Sequence, residues 1–130
     1  MNAEVFVSYS SQDFEEVHCI VERLRGAGVS VWMDEGGIEA ATLWSEAIVD
    51  AINDCKVLIM MVSSHSTDSP NVVKEVMLSS ESGKVILPIY LEEAEIPSRL
   101  KYQLTGIQHL EAFSLSESEL IEELRRGLAI

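Results

Sequence analysis

The sequence predicts an α/β domain built on a doubly wound, five-stranded parallel sheet, strand order 2-1-3-4-5, with helices on both faces. Three observations predict it. Val57-Leu58-Ile59-Met60-Met61-Val62 is an apolar run without alternation, the mark of a strand covered on both faces, as in parallel sheets between helices. Val/Ile-rich stretches alternate along the chain with stretches of helical apolar spacing, the rhythm of βα units. The length of 130 residues, with 47% hydrophobic content, suits one domain with a real core, and no repeat, low-complexity tract or linker interrupts it.

Each element has its own signal. Glu4-Val5-Phe6-Val7-Ser8-Tyr9 reads as the first strand and Ser10-Ser11-Gln12-Asp13 as a turn capping a helix. Phe14, Val17, Val21 and Leu24 keep helical spacing there until Gly26 and Gly28 end it. Val29-Ser30-Val31-Trp32-Met33 is the second strand. The loop after it, residues 34–42, is longer than most βα connections, which suggests a task beyond joining elements, and Gly36-Gly37 are expected to supply positive φ for a turn. Trp44, Ala47, Ile48, Ala51 and Ile52 then form an apolar helix face.

The central strand ends abruptly in Ser63-Ser64-His65-Ser66-Thr67-Asp68-Ser69. Ser69 reads as a helix N-cap and Pro70 as the favoured first-turn proline. Val72, Val73, Val76 and Met77 stand at core spacing, which puts Glu75 off that stripe, on a face shared with Ser79 and Ser82. Gly83 closes the helix, and residues 84–90 read as a fourth strand despite Pro88 near its end. An acidic loop, residues 91–96, leads to a short helix over 97–105 and a brief edge strand over 107–110. A capping box of Ser116 and Glu119 opens the last helix, docked by Leu120, Ile121, Leu124 and Leu128.

Charge and cysteine usage exclude several roles. Nine Lys+Arg against 22 Asp+Glu give a net charge of −13, which opposes binding to nucleic acid or anionic membrane. Cys19 and Cys55 form neither a disulfide framework nor a metal-ligand spacing, so a reducing cytoplasm is the expected location. Strand-like sequence begins at Glu4, so no signal peptide is expected, and no apolar run reaches membrane-span length.

In a sheet of this order the ligand crevice lies beyond the carboxyl ends of strands 1 and 3, where the winding reverses. The loops after Ser8 and after Val62 flank that point, and Glu75 stands behind the second. Rival chemistries lack their residues. A phosphoacceptor receiver needs an Asp ending strand 3, where Val62-Ser63 stands, and acidic residues after strand 1, where Tyr9-Ser10 stands. Neither G-x-x-x-x-G-K-[ST] nor G-x-G-x-x-G occurs, there is no G-x-S-x-G, and His18, His65 and His109 are not at metal spacing. No metal and no bound cofactor is expected.

Three blocks carry a family resemblance: residues 5–13, Val-Phe-Val-Ser-Tyr-Ser-Ser-Gln-Asp; the Leu24-Arg25-x-x-Gly28-x-x-x-Trp32-x-Asp34 pattern; and Ser63-x-x-Ser66-x-x-Ser69-Pro70-x-Val72-x-x-Glu75. Together they resemble the Toll/interleukin-1 receptor (TIR) domain in its bacterial form. That family has a flavodoxin-like fold, and its long loop after strand 2, the BB loop, matches residues 34–43. The resemblance implies that residues 1–130 are a single such domain, cut from a longer protein with a fused sensor module.

Two functions follow from it. Many members are NAD+ nucleosidases, hydrolysing or cyclising NAD+ with release of nicotinamide when self-assembled in innate immunity or bacterial defence. The resemblance then makes Glu75 the catalytic residue, with Tyr9, Ser10, Asp34 and Ser66 toward the substrate. Glu35, Gly36, Gly37, Ile38, Leu43 and Trp44 would belong to the assembling BB loop. Lys74, Lys56 or backbone N–H groups are the candidates for the NAD+ diphosphate. Other members are adaptors that bind only further TIR domains. Asn71, where NADase-type members commonly carry an aromatic residue, and Ala40-Ala41-Thr42 in the BB loop suit that second function.

Overall fold

The computed structural model describes residues 3–33, 41–104 and 108–128, and for residues 41–45 the backbone alone. Five strands, β1 (Val5–Ser8), β2 (Val31–Trp32), β3 (Val57–Val62), β4 (Val85–Tyr90) and β5 (Leu110–Glu111), form one sheet in the order β2-β1-β3-β4-β5. Every pairing is parallel, and at the centre Val5 lies opposite Val57 and Ser8 opposite Met60. The predicted architecture, flavodoxin-like in its strand order, is the observed one.

Among the described residues, five α-helices cover the sheet: α1 (Phe14–Gly26), α2 (Ala41–Asp54), α3 (Pro70–Glu81), α4 (Ser98–Leu104) and α5 (Glu117–Gly127). Strand alternation sorts them into two layers. Val5, Val7, Ile59 and Met61 pack with Val17, Val21, Leu24, Leu120 and Leu124 of α1 and α5. Phe6, Leu58, Met60 and Val62 pack with Ile48, Ile52, Val72, Val76 and Leu100 of α2, α3 and α4. Each fully buried side chain of this kind contributes about 1.5–3 kcal/mol. Trp32 lies half-buried, its ring stacked on Phe6 with centroids 4.8 Å apart.

Local chemistry sets the boundaries. Gly28 and Gly83, at φ 96° and 72°, turn the chain out of α1 and α3 where a side chain would be strained. The predicted capping box is formed: Ser116 Oγ accepts from the Glu119 N–H, and Glu119 Oε1 accepts from the Ser116 N–H at 2.9 Å. Pro88 sits inside β4. The N–H groups of Val85 and Leu91 donate toward β3, so by alternation the missing N–H of Pro88 falls on the β5 side, where the ladder begins only at Ile89.

The structure corrects three expectations. β2 is shorter than residues 29–33, because Val29 N–H donates to the Leu24 carbonyl and finishes α1 instead. The edge strand comes at Leu110–Glu111, later than the predicted 107–110, with residues 105–107 outside the described residues. Most consequential is the rotation of α3: Val72, Glu75, Val76 and Ser79 are its buried residues, while Met77 is 38% exposed. Glu75 thus lies on the covered stripe, not off it, and Ser82 is exposed. Polar groups are tolerated there because they are bonded: Ser79 Oγ donates to the Glu75 carbonyl at 2.9 Å, and the Glu75 carboxylate finds a donor on β1.

Candidate active site

Ser8 ends β1 with its side chain on the α3 face of the sheet, in alternation with Phe6. Its hydroxyl donates to Glu75 Oε1 at 2.6 Å, a short hydroxyl-to-carboxyl hydrogen bond. Both are buried, Ser8 at 1% exposure and Glu75 at 8%. The carboxylate of α3 is therefore drawn to the carboxyl end of β1, beside the point where the sheet changes winding direction.

The loop after β3 is tied down from three sides. Ser63 Oγ donates to Asp13 Oδ2 at 2.5 Å, from the turn preceding α1, and accepts from the N–H groups of His65 and Ser66. Glu92, in the loop after β4, accepts from the Ser64 N–H at 2.7 Å. Arg99 of α4 donates to the Thr67 carbonyl at 2.6 Å, with Asp68 4.0 Å away. At the loop's end Ser69 Oγ caps α3 by accepting from the Val72 N–H at 3.3 Å.

Carboxylates crowd this rim. The Glu92 carboxyl is held below its ordinary pKa, chiefly by the backbone N–H of Ser64 and then by its hydroxyl. Glu16, on the first turn of α1, is pushed up by partial burial and then by Asp13 and Glu92. Among the described residues no group of three or more His, Cys, Asp or Glu is arranged to hold a metal ion.

The residues singled out from sequence separate on this frame. Glu75 meets Ser8 at the carboxyl end of β1. Tyr9 is half-buried against Phe14, ring centroids 6.4 Å apart, in the layer of α1 and α5 and so across the sheet from Ser8. Ser10 is buried and caps the turn at Ser11–Asp13 by accepting from the Gln12 N–H. Ser66 is wholly buried, its hydroxyl accepting from the Ser63 N–H at 2.9 Å and donating to the Ser63 carbonyl at 3.3 Å. Asp34, Glu35, Gly36, Gly37 and Ile38 lie outside the described residues, as do the side chains of Leu43 and Trp44.

Lys74 is exposed on α3, whereas Lys56 precedes β3 at the opposite end of the sheet and is no candidate for a crevice ligand. Sequence reasoning missed Ser8, Asp13 and Arg99. Period-2 alternation in β1 carries the signal for Ser8, since it sets Phe6 and Ser8 against Val5, Val7 and Tyr9.

A parallel sheet wound in the order 2-1-3-4-5 is the flavodoxin-like architecture, in which ligands bind beyond the carboxyl ends of the strands at the switch point, the end of the sheet where Ser8 and Glu75 meet. Within that class, the model of the TIR domain matches residues 5–126, and the chain belongs to that family. Over 91 residues it is 28% identical to a probable 2' cyclic ADP-D-ribose synthase, BdTIR, of Brachypodium distachyon. That match covers 68% of this chain and 41% of the relative, so the chain spans less than half of the relative's length. Among solved structures, the TIR domain of the Toll-related receptor TRR-2 from Hydra magnipapillata is similar at 18% identity and a TM-score of 0.78, covering 99% of this chain and all of that one. The CMP N-glycosidase BcmB of Clostridium botulinum is similar at 20% identity and a TM-score of 0.65, covering 94% and 98% of the two chains. These two likenesses are likenesses of fold.

Proposed function

We propose that this domain is an NAD+ nucleosidase that releases nicotinamide, with Glu75 as its catalytic carboxylate. The observation that carries the reading is a carboxylate 8% exposed, bonded at the carboxyl end of β1 where this fold places ligands. The Brachypodium relative supports it, being named for the synthesis of a cyclic ADP-ribose.

The chemistry suits a single carboxylate. Nicotinamide in NAD+ is a cationic pyridinium: when its bond to the ribose C1' breaks, the electron pair stays on the ring nitrogen and the base leaves neutral. No general acid is needed for departure. Positive charge grows on the sugar instead, and an anion held in a poorly hydrated place stabilises it. Water then bonds to C1' and loses a proton to solvent, giving ADP-ribose; capture by another nucleophilic atom of the same molecule gives a cyclic product. In this reading residues 34–44 of one copy complete a neighbour's site, so activity depends on self-association, and a fused sensor module supplies the trigger.

A second reading, a non-catalytic TIR–TIR interaction module, is favoured by Tyr102, which stands 90% exposed on α4 and offers an aromatic contact to a partner. Concentrated protein incubated with NAD+ and assayed for nicotinamide separates the two. Release supports the enzyme. No product, even from an oligomer enforced by fusion, favours the docking module.

A further inference from the structure

We propose that Ser8 is a positioning residue that fixes the Glu75 carboxylate for the reaction, an inference that rests on Glu75 being the carboxylate that meets the sugar. β1 is otherwise apolar: Val5, Phe6 and Val7 are each at most 2% exposed. A hydroxyl at 1% exposure in such a strand is unfavourable by roughly 1–3 kcal/mol unless it is bonded, so its identity is set by what it touches. It touches Glu75 Oε1, at 2.6 Å.

A hydroxyl differs from a cation in what it does to that carboxylate. Lys or Arg at the same place would neutralise the charge that the sugar cation needs. Ser8 donates one hydrogen bond and brings no charge of its own to the site. It also removes rotational freedom. Glu75 is carried by a helix whose own backbone is locked: Ser69 caps its start, Val72 and Val76 are fully buried, and Ser79 Oγ bonds the Glu75 carbonyl. The remaining freedom is in the side chain's torsions, and the contact from the strand end restricts them. Strand and helix thus fix the group from opposite sides, which is how a reacting carboxylate is held in register with a substrate atom.

The test compares Ser8→Ala and Ser8→Thr with the wild type in NAD+ turnover, together with crystal structures of wild type and Ser8→Ala. Ser8→Ala is expected to lower kcat by about 10- to 100-fold with KM held within about twofold, because placement of the reacting group is lost while substrate binding is not. Ser8→Thr keeps the hydroxyl and is expected to recover most of the rate. The crystal structure of Ser8→Ala is expected to show the carboxylate swung away from the end of β1. Full turnover by folded Ser8→Ala, equal loss in both variants, or a carboxylate that stays in place overturns the proposal. If the wild type itself releases no nicotinamide, the nucleosidase reading has failed, and the Ser8→Ala structure still decides whether Ser8 holds the carboxylate.

Discussion

Asp13 and Ser63, brought together from the turn before α1 and the first position after β3, meet through a 2.5 Å hydrogen bond from hydroxyl to carboxylate. Ser63 is 1% exposed, and its oxygen also receives the N–H groups of His65 and Ser66, so one hydroxyl organises the loop bordering the crevice. Ser63→Ala removes a charge-assisted bond and takes away the acceptor of the His65 and Ser66 N–H groups, the second of them buried. It is expected to cost about 2 kcal/mol of stability. Denaturant midpoints check this, and amide exchange at residues 65 and 66 should quicken selectively.

The N-cap of α3 has its own measurable share. Ser69 accepts from the Val72 N–H, and Pro70 follows at the first helical position. Ser69→Ala is expected to destabilise the domain by about 1 kcal/mol, read as a lower urea midpoint at unchanged slope.

Glu16 and Glu92 should give opposite pH signatures. The folded-state pKa of Glu92 is lowered from 4.5 by the Ser64 N–H, so its contribution to stability is present above that value and lost as pH falls through the lowered one. For Glu16, partial burial and then Asp13 and Glu92 raise the folded value above 4.5, so its ionisation opposes folding at neutral pH and the penalty vanishes as pH falls below 4.5. Glu16→Gln is therefore expected to be more stable than wild type at about pH 7 and Glu92→Gln less stable, both differences shrinking in acid. Unfolding curves at neutral and acidic pH check the two signs.

Much of this was legible in the sequence because it rests on local signals. The unbroken run at Val57–Val62 marked the doubly covered strand, Ser69-Pro70 the start of α3, and Ser116 with Glu119 the capping box. The position of Glu75 on the helix behind the β3 loop was legible too. What escaped was the setting of that residue. Apolar spacing alone assigned Met77 to the buried stripe, whereas the helix turns Glu75 and Ser79 inward because Ser8 and a backbone carbonyl receive them. Arg99 escaped for a related reason: its bond to the Thr67 carbonyl joins residues 32 apart, and nothing local to α4 marks it.

The most direct measurement is the rate of nicotinamide release from NAD+ by Glu75→Gln beside the wild type, at equal concentrations of folded, assembled protein. Glutamine keeps the shape and can still accept from Ser8 Oγ, so the substitution removes the charge while preserving the contact that places it. The account predicts release slowed by about a hundredfold or more, with an unchanged circular-dichroism spectrum and unfolding midpoint. Turnover by Glu75→Gln within about twofold of wild type would contradict it, since a neutral amide cannot supply the electrostatic stabilisation assigned to this carboxylate.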